Sequence, residues 1–310
     1  MIYLKLIRYK NLLLLAFMQL IFRYGFLKQQ DGYLALADWH YFLLVLSTVL
    51  LAAAGYVIND IFDQETDIIN RPDSVIVGKS ISESRAYNIY VGLNIAGVAI
   101  GFYLSNLIEK PSFATIFIFI AACLYFYATT LKKMLLLGNL LVAFILGLSV
   151  LIIGVFDLYP ATYDGNRDKM ALLFKILTDY AIFAFFLNFI REIIKDCEDV
   201  KGDYNQGMQT LPIILGIART GKIIFVLLAI ASAIISWYIN QHLMSFDLYY
   251  AVLYVLFLVL GPLLFALIKC WNAKTNQDFK ALSLTLKWVI FFGILSIAVI
   301  TFNIKMNTNA

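Results

Sequence analysis

The sequence is short of charge. Only 14% of its 310 residues are Asp, Glu, Lys or Arg, against 62% hydrophobic, whereas soluble domains carry about a quarter charged residues. That scarcity excludes a water-soluble globular domain. Cysteine is scarce as well. Cys123, Cys197 and Cys270 are far apart, odd in number and form no CxxC pair, which excludes a disulfide framework and a thiolate zinc site. The two histidines, His40 and His242, stand alone and read as interfacial side chains rather than ligands. The net charge of +4 is too small to suggest a nucleic-acid partner, and none is expected.

Long apolar runs are what the chain has in abundance. Nine of them, at 11–28, 41–61, 86–106, 113–130, 136–156, 171–190, 221–239, 247–268 and 286–304, approach the roughly 20 residues needed to cross a ~30 Å hydrocarbon core. No segment between them is long enough for a separate soluble domain. Residues 1–310 are therefore read as one all-α, polytopic membrane domain embedded in a lipid bilayer. The first segment carries Lys5, Arg8 and Lys10 ahead of its apolar run but no small-residue cleavage site, so it is expected to stay as the first helix. Most of the 24 Lys and Arg residues fall at the N-terminus or after the second, fourth, sixth and eighth runs. The positive-inside rule puts those segments in the cytoplasm, with the chain in the cell's inner membrane.

Two acidic motifs stand out. The second run ends in Asn59-Asp60-Ile-Phe-Asp63-Gln-Glu-Thr-Asp67, and the sixth is followed by Asp196-Cys-Glu-Asp199-Val-Lys-Gly-Asp203. Both place carboxylates at i, i+3 and i+7, a spacing that lines up on one helical stripe. Solvation of a helix end explains one such stripe; two copies on the same membrane face ask for more. Like charges on a stripe repel and are costly near a membrane, and oxygen donors without His or Cys suit a hard cation. Mg²⁺ takes a few carboxylates and completes its shell with water and phosphate oxygens, so facing stripes would hold ions on both sides of a diphosphate. Arg71, Lys79, Lys132, Lys133, Arg191, Lys195 and Lys201 lie in or beside the same loops, where cations neutralise phosphate. Lys79, in Gly78-Lys79-Ser80 after the apolar Val75-Ile-Val, is the preferred loop lysine, on a segment able to close over the site.

At this point the sequence resembles the UbiA-type superfamily of intramembrane prenyltransferases. The resemblance covers nearly the whole chain and rests on the paired acidic motifs, Arg8-Tyr-Lys-Asn11, Tyr127-Ala-Thr-Thr-Leu-Lys132 and Gly138-Asn139. It implies a helical bundle around a central cavity open toward lipid, and Mg²⁺-assisted loss of diphosphate from an isoprenyl donor. It further implies that Asn59, Asp60, Asp63 and Asp67 form one metal–diphosphate half-site and Asp196, Asp199 and Asp203 the other. Asp63, Asp67, Asp196, Asp199 and Lys79 are then expected to carry the chemistry, and Asn11, Asn59, Arg71, Tyr127, Lys132, Arg191 and Lys195 to bind substrate. Many members follow the first motif with two Arg-Pro steps; here Asn70-Arg71-Pro72-Asp73-Ser74-Val75 has only one. The segment from Arg191 to Asp203 is most similar to the digeranylgeranylglyceryl-phosphate-synthase-like branch, which implies a glyceryl-phosphate hydroxyl as acceptor; an aromatic quinone precursor is the alternative.

The residues suggest ionisation of the donor in a dry apolar pocket. Tyr56, Phe126 and Tyr127 are the aromatic candidates to face an allylic cation, and Glu192, one turn before Asp196, is the candidate proton acceptor. A cation- or proton-coupled transporter is the competing reading, but it calls for ionisable residues near mid-span or an inverted repeat with broken helices. The carboxylates here sit at helix ends.

Overall fold

The computed structural model describes residues 2–30, 32–70 and 72–309. Among them nine helices are long and apolar enough to cross a membrane: α1 (Tyr9–Gln29), α2 (Asp38–Phe62), α3 (Glu83–Leu107), α4 (Pro111–Thr129), α5 (Leu137–Ala161), α6 (Asp164–Asn205), α7 (Ile217–Phe246), α8 (Tyr249–Trp271) and α9 (Asn276–Thr308). No strand occurs among the described residues. Helices are the natural outcome for such a chain, because a backbone in hydrocarbon must satisfy its own donors and acceptors. The protein is an integral, multi-pass membrane protein of all-helical fold.

The nine apolar runs match nine helices, and the two largest differences are at the end of α6 and the start of α9. α6 runs on from the expected end at 190 to Asn205, and α9 starts at Asn276 rather than at 286. Hydropathy marks only the lipid-embedded part of a helix; a polar continuation in water remains helical where tertiary contacts support it. The second acidic motif consequently lies inside a helix, not after one.

Helices α1, α2, α4, α5, α6 and α9 form a ring. α3 packs outside against α2 and α4, while α7 and α8 pack against α6 and α9. Two large apolar clusters follow this division. One joins Phe22, Tyr41, Leu44, Phe117, Phe156 and Leu177 of the first six helices, and the other joins Ile190, Ile194, Leu228, Leu263, Phe279 and Leu286 of the last four.

Each end of the ring is held by polar bonds. At the end away from the acidic motifs, Arg23 and Asp157 are fully buried and ion-paired. A short π-helical turn, Gly154–Leu158, turns Asp157 inward. Its carboxylate accepts from the Leu36 backbone N–H at 3.0 Å, and the Arg23 guanidinium donates to the Leu36 carbonyl at 2.5 Å and lies over the Tyr41 ring at 4.3 Å. The loop between α1 and α2 is thereby clamped across the bundle.

At the motif end, the N-terminal segment and the connections after α2, α4, α6 and α8 meet on one face. Gln209 N–H donates to the Lys133 carbonyl at 2.9 Å, and Asn276 donates to the Glu198 carbonyl. The acidic motifs do share one end of the molecule, as the charge pattern requires.

Candidate active site

The first motif departs from a single helical stripe. α2 ends at Phe62, Asp63 takes up a non-helical conformation, and a separate short helix, Gln64–Asn70, carries Asp67. Across the break the Asp67 N–H donates to the Asp63 carbonyl at 2.8 Å and the Gln64 side-chain amide donates to the Ile61 carbonyl at 3.0 Å. The i, i+3, i+7 expectation fails here because Asp63 leaves the helix. In the second motif it holds, since Asp196, Asp199 and Asp203 all lie within the unbroken helix Arg167–Asn205.

The break lets the two motif segments lie against each other. Asn70 donates from Nδ2 to the Asp199 carbonyl at 3.0 Å and accepts on Oδ1 from the Gly202 N–H at 2.9 Å. Gln206 reaches Glu65 at 3.0 Å. Gly202 is required by this closeness: a Cβ there would come within 2.4 Å of the Asn70 amide.

Each side of the carboxylate array meets a partner from elsewhere in the chain. Arg8 adopts a left-handed conformation, φ 49°, between the short helix Ile2–Leu6 and α1, and binds Asp60 at 2.9 Å. Burial by itself would lower the pKa of Arg8, but Asp60 raises it, so the guanidinium stays charged. Lys132, in the loop after α4, is ion-paired with Asp63 and its side chain is 7% exposed. Asn139 at the start of α5 donates to Asp196 at 2.8 Å. Gly138 makes the approach of that loop feasible, because its missing Cβ would lie 2.8 Å from Lys132 Cα. The Arg8, Gly138 and Asn139 segments stand out in the sequence, yet these three were not among the candidate site residues. Asn70, directly before the Arg71-Pro72 step, was not among them either, since its partners lie 129 and 132 residues away.

Beneath this array lies a cavity of about 270 Å³. Its polar mouth includes Arg8, Asn11, Tyr56, Asn59, Tyr127, Asn188, Arg191, Glu192 and Lys195, and its far walls are apolar, among them Met18, Phe22, Leu51, Phe117, Leu124, Ile145, Val150 and Ile294. Asn11 accepts from Lys287 at 3.0 Å. Glu192 is the one carboxylate in the wall; it pairs with Lys195 at 2.5 Å and lies 3.7 Å from Arg191, so it holds two cations over the mouth. Tyr56 and Tyr127 face the cavity, whereas Phe126 is 56% exposed on the outer surface of the bundle, because α4 turns only one side inward. Lys79 is also exposed and donates to the Pro72 carbonyl at 2.8 Å, within its own loop; it is not brought to the carboxylates. Arg71 lies outside the described residues.

The donors at the rim are oxygens throughout, from Asp60, Asp63, Asp67, Asp196, Asp199, Asp203 and Asn59. Among the described residues, no three His, Cys, Asp or Glu side chains are grouped as a closed metal cage. Asn59 Nδ2 donates to Asp63 at 2.5 Å, leaving its Oδ1 buried at the cavity mouth with no hydrogen-bond partner. A hard cation that brings its own water and phosphate ligands fits this set, and an orphaned amide oxygen offers it one more.

Comparison with known proteins supplies the context. The model of the UbiA prenyltransferase family matches residues 21–300. A protein of Saccharolobus solfataricus named digeranylgeranylglyceryl phosphate synthase is 35% identical over 257 residues, covering 82% of each chain. Among solved structures, one of a digeranylgeranylglyceryl phosphate synthase in membranes superposes with a TM-score of 0.65 at 22% identity, covering 97% of both chains. A UbiA homologue from Archaeoglobus fulgidus bound to DMAPP and Mg²⁺ gives 0.56 at 16% identity, over 96% of this chain and 99% of that one. At such identities the superpositions speak for the fold alone.

Proposed function

The chain belongs to the UbiA prenyltransferase family, and from that premise we propose that it transfers a long isoprenyl group from its diphosphate to the hydroxyl of a glyceryl-phosphate lipid, on the cytoplasmic face of the cell's inner membrane. The observation that carries this reading is the apolar cavity opening directly beneath two stapled acidic segments. Along α1 its wall extends from Asn11 to Phe22, about 16 Å of helix rise, which supports a donor of several isoprene units. The acceptor class follows from the relative in Saccharolobus solfataricus and its name.

Asn59, Asp60, Asp63 and Asp67 on one side and Asp196, Asp199 and Asp203 on the other would hold Mg²⁺, an ion that the UbiA homologue from Archaeoglobus fulgidus binds together with DMAPP. When bound, the metal neutralises oxygens of the leaving diphosphate. Arg8 and Lys132, already on the motif carboxylates, and Arg191 and Lys195 at the mouth add charge-assisted hydrogen bonds to that group. The C1–O bond of the donor breaks with its electron pair leaving on the diphosphate. Tyr56 and Tyr127 face the developing allylic cation, and the apolar walls keep water from it. The acceptor oxygen then bonds to C1 and loses its proton to a base at the mouth, where Glu192 is the carboxylate in the wall. Transport of a cation has no support among the relatives and leaves the deep apolar cavity without a role.

The test is the purified protein with Mg²⁺, radiolabelled geranylgeranyl diphosphate and geranylgeranylglyceryl phosphate. Labelled ether lipid and free diphosphate are expected in equal amounts, with loss of both on chelation by EDTA and recovery on adding Mg²⁺. Asp63→Ala and Asp199→Ala should each abolish turnover with the unfolding temperature retained. Full activity in either variant would break the two-sided site.

A further inference from the structure

A second concavity lies outside the cavity, between α1 and α9. It has a volume of about 480 Å³ and is lined by Lys10, Leu13, Leu14, Phe17, Leu284, Lys287, Trp288 and Phe291. Its floor is aromatic: Phe17 and Phe291 stack at 5.7 Å, and Trp288 meets Phe291 edge-on at 5.8 Å. Its only charged members are the two lysines. Leu14 and Lys287 belong to both the groove and the cavity, so they form the wall the two spaces share.

The charge here is unbalanced. Lys287 is half-buried and within electrostatic reach of both Arg191 and Lys10, and its one hydrogen bond runs to a neutral oxygen, Asn11 Oδ1, at 3.0 Å. The nearest carboxylate of the cavity wall, Glu192, is taken up by Lys195 and Arg191. Among the described residues no acidic side chain lines the groove. Gathering cations at a membrane edge without a counter-charge is unfavourable unless an anion completes the site. Arg191 points the same way, since its Nε is buried with no hydrogen-bond partner.

We propose that the groove between α1 and α9 is the seat of the acceptor, and that Lys10 and Lys287 read its phosphate. The occupant is a single-chain glyceryl phosphate lipid: its hydrocarbon lies on Phe17, Leu284, Trp288 and Phe291, and its dianionic phosphate sits between the two ammonium groups. The glyceryl hydroxyl is thereby presented at the Leu14 and Lys287 wall, facing the cavity where the donor's C1 ends. This deepens the function proposed above and rests on it. It makes the enzyme selective for an anionic acceptor over a neutral one of the same hydrocarbon, through residues that belong to neither acidic motif.

The experiment compares two acceptors, geranylgeranylglyceryl phosphate and its dephosphorylated counterpart geranylgeranylglycerol, with geranylgeranyl diphosphate as donor, in wild type, Lys10→Gln, Lys287→Gln and the double variant. For the phosphorylated acceptor KM is expected to rise about threefold for exposed Lys10 and about tenfold for half-buried Lys287, in keeping with the weaker worth of a solvent-exposed charge pair. The KM for the donor should not move in Lys10→Gln. With geranylgeranylglycerol, wild type should already show the high KM, and Lys10→Gln should add nothing, so the preference for phosphate narrows. Equal KM increases with both acceptors, or no increase with either, in variants that keep the wild-type unfolding temperature would overturn the phosphate-reading role. If wild type turns over neither acceptor, the reading of the whole site fails instead.

Discussion

The staple between the two acidic segments yields a prediction worked from coordinates. In Gly202→Ala, the new Cβ would lie 2.4 Å from Asn70 Nδ2 and 2.6 Å from its Cγ, so the Asn70 side chain must leave. Both of its hydrogen bonds, to the Asp199 carbonyl and from the Gly202 N–H, go with it. At about 0.5–1.5 kcal/mol net for each bond, docking of the Gln64–Asn70 helix onto α6 weakens by about 1–3 kcal/mol, or roughly 5- to 150-fold in turnover if only the docked form is active. Asn70→Ala loses the same two bonds without any clash. The double variant removes the clashing atoms together with the clash, so it should be no worse than Asn70→Ala alone. The assay is kcat/KM for diphosphate release by wild type, both single variants and the double variant, with thermal unfolding as the control for folding. Contacting residues sharing one interaction are expected to be non-additive in this way. Multiplicative losses in the double variant would refute the reasoning, because Gly202 and Asn70 would then act independently.

The loop carrying Lys132 depends on Gly138: Gly138→Val should cut turnover at least as much as Lys132→Ala, and combining the two should cost little more, as read by diphosphate release. At the opposite end of the bundle, Arg23→Met leaves Asp157 buried without its counter-ion, a loss of about 3–5 kcal/mol. Arg23→Met/Asp157→Leu should recover much of that, measured by thermal unfolding in detergent, and a double variant less stable than Arg23→Met would refute the pairing as the cause.

Legibility divides along physical lines. The nine membrane helices were determined by the sequence alone, because burial in hydrocarbon imposes a length of apolar chain that nothing local can hide, and the alternation of charged connections already put the two motifs at one end of the molecule. The two carboxylate sets and their oxygen-only chemistry were equally plain in Asp60, Asp63 and Asp67 and in Asp196, Asp199 and Asp203. What the tertiary structure decided was pairing. Arg8 lies 52 residues from Asp60, Asn139 57 residues from Asp196, and Asn70 132 residues from Gly202; no periodicity connects positions that far apart. It also decided the break at Asp63 and the inward and outward sides of α4, which send Tyr127 into the cavity and Phe126 away from it. Apolar side chains facing lipid and those facing a cavity are chemically alike, and only the neighbouring helices tell them apart.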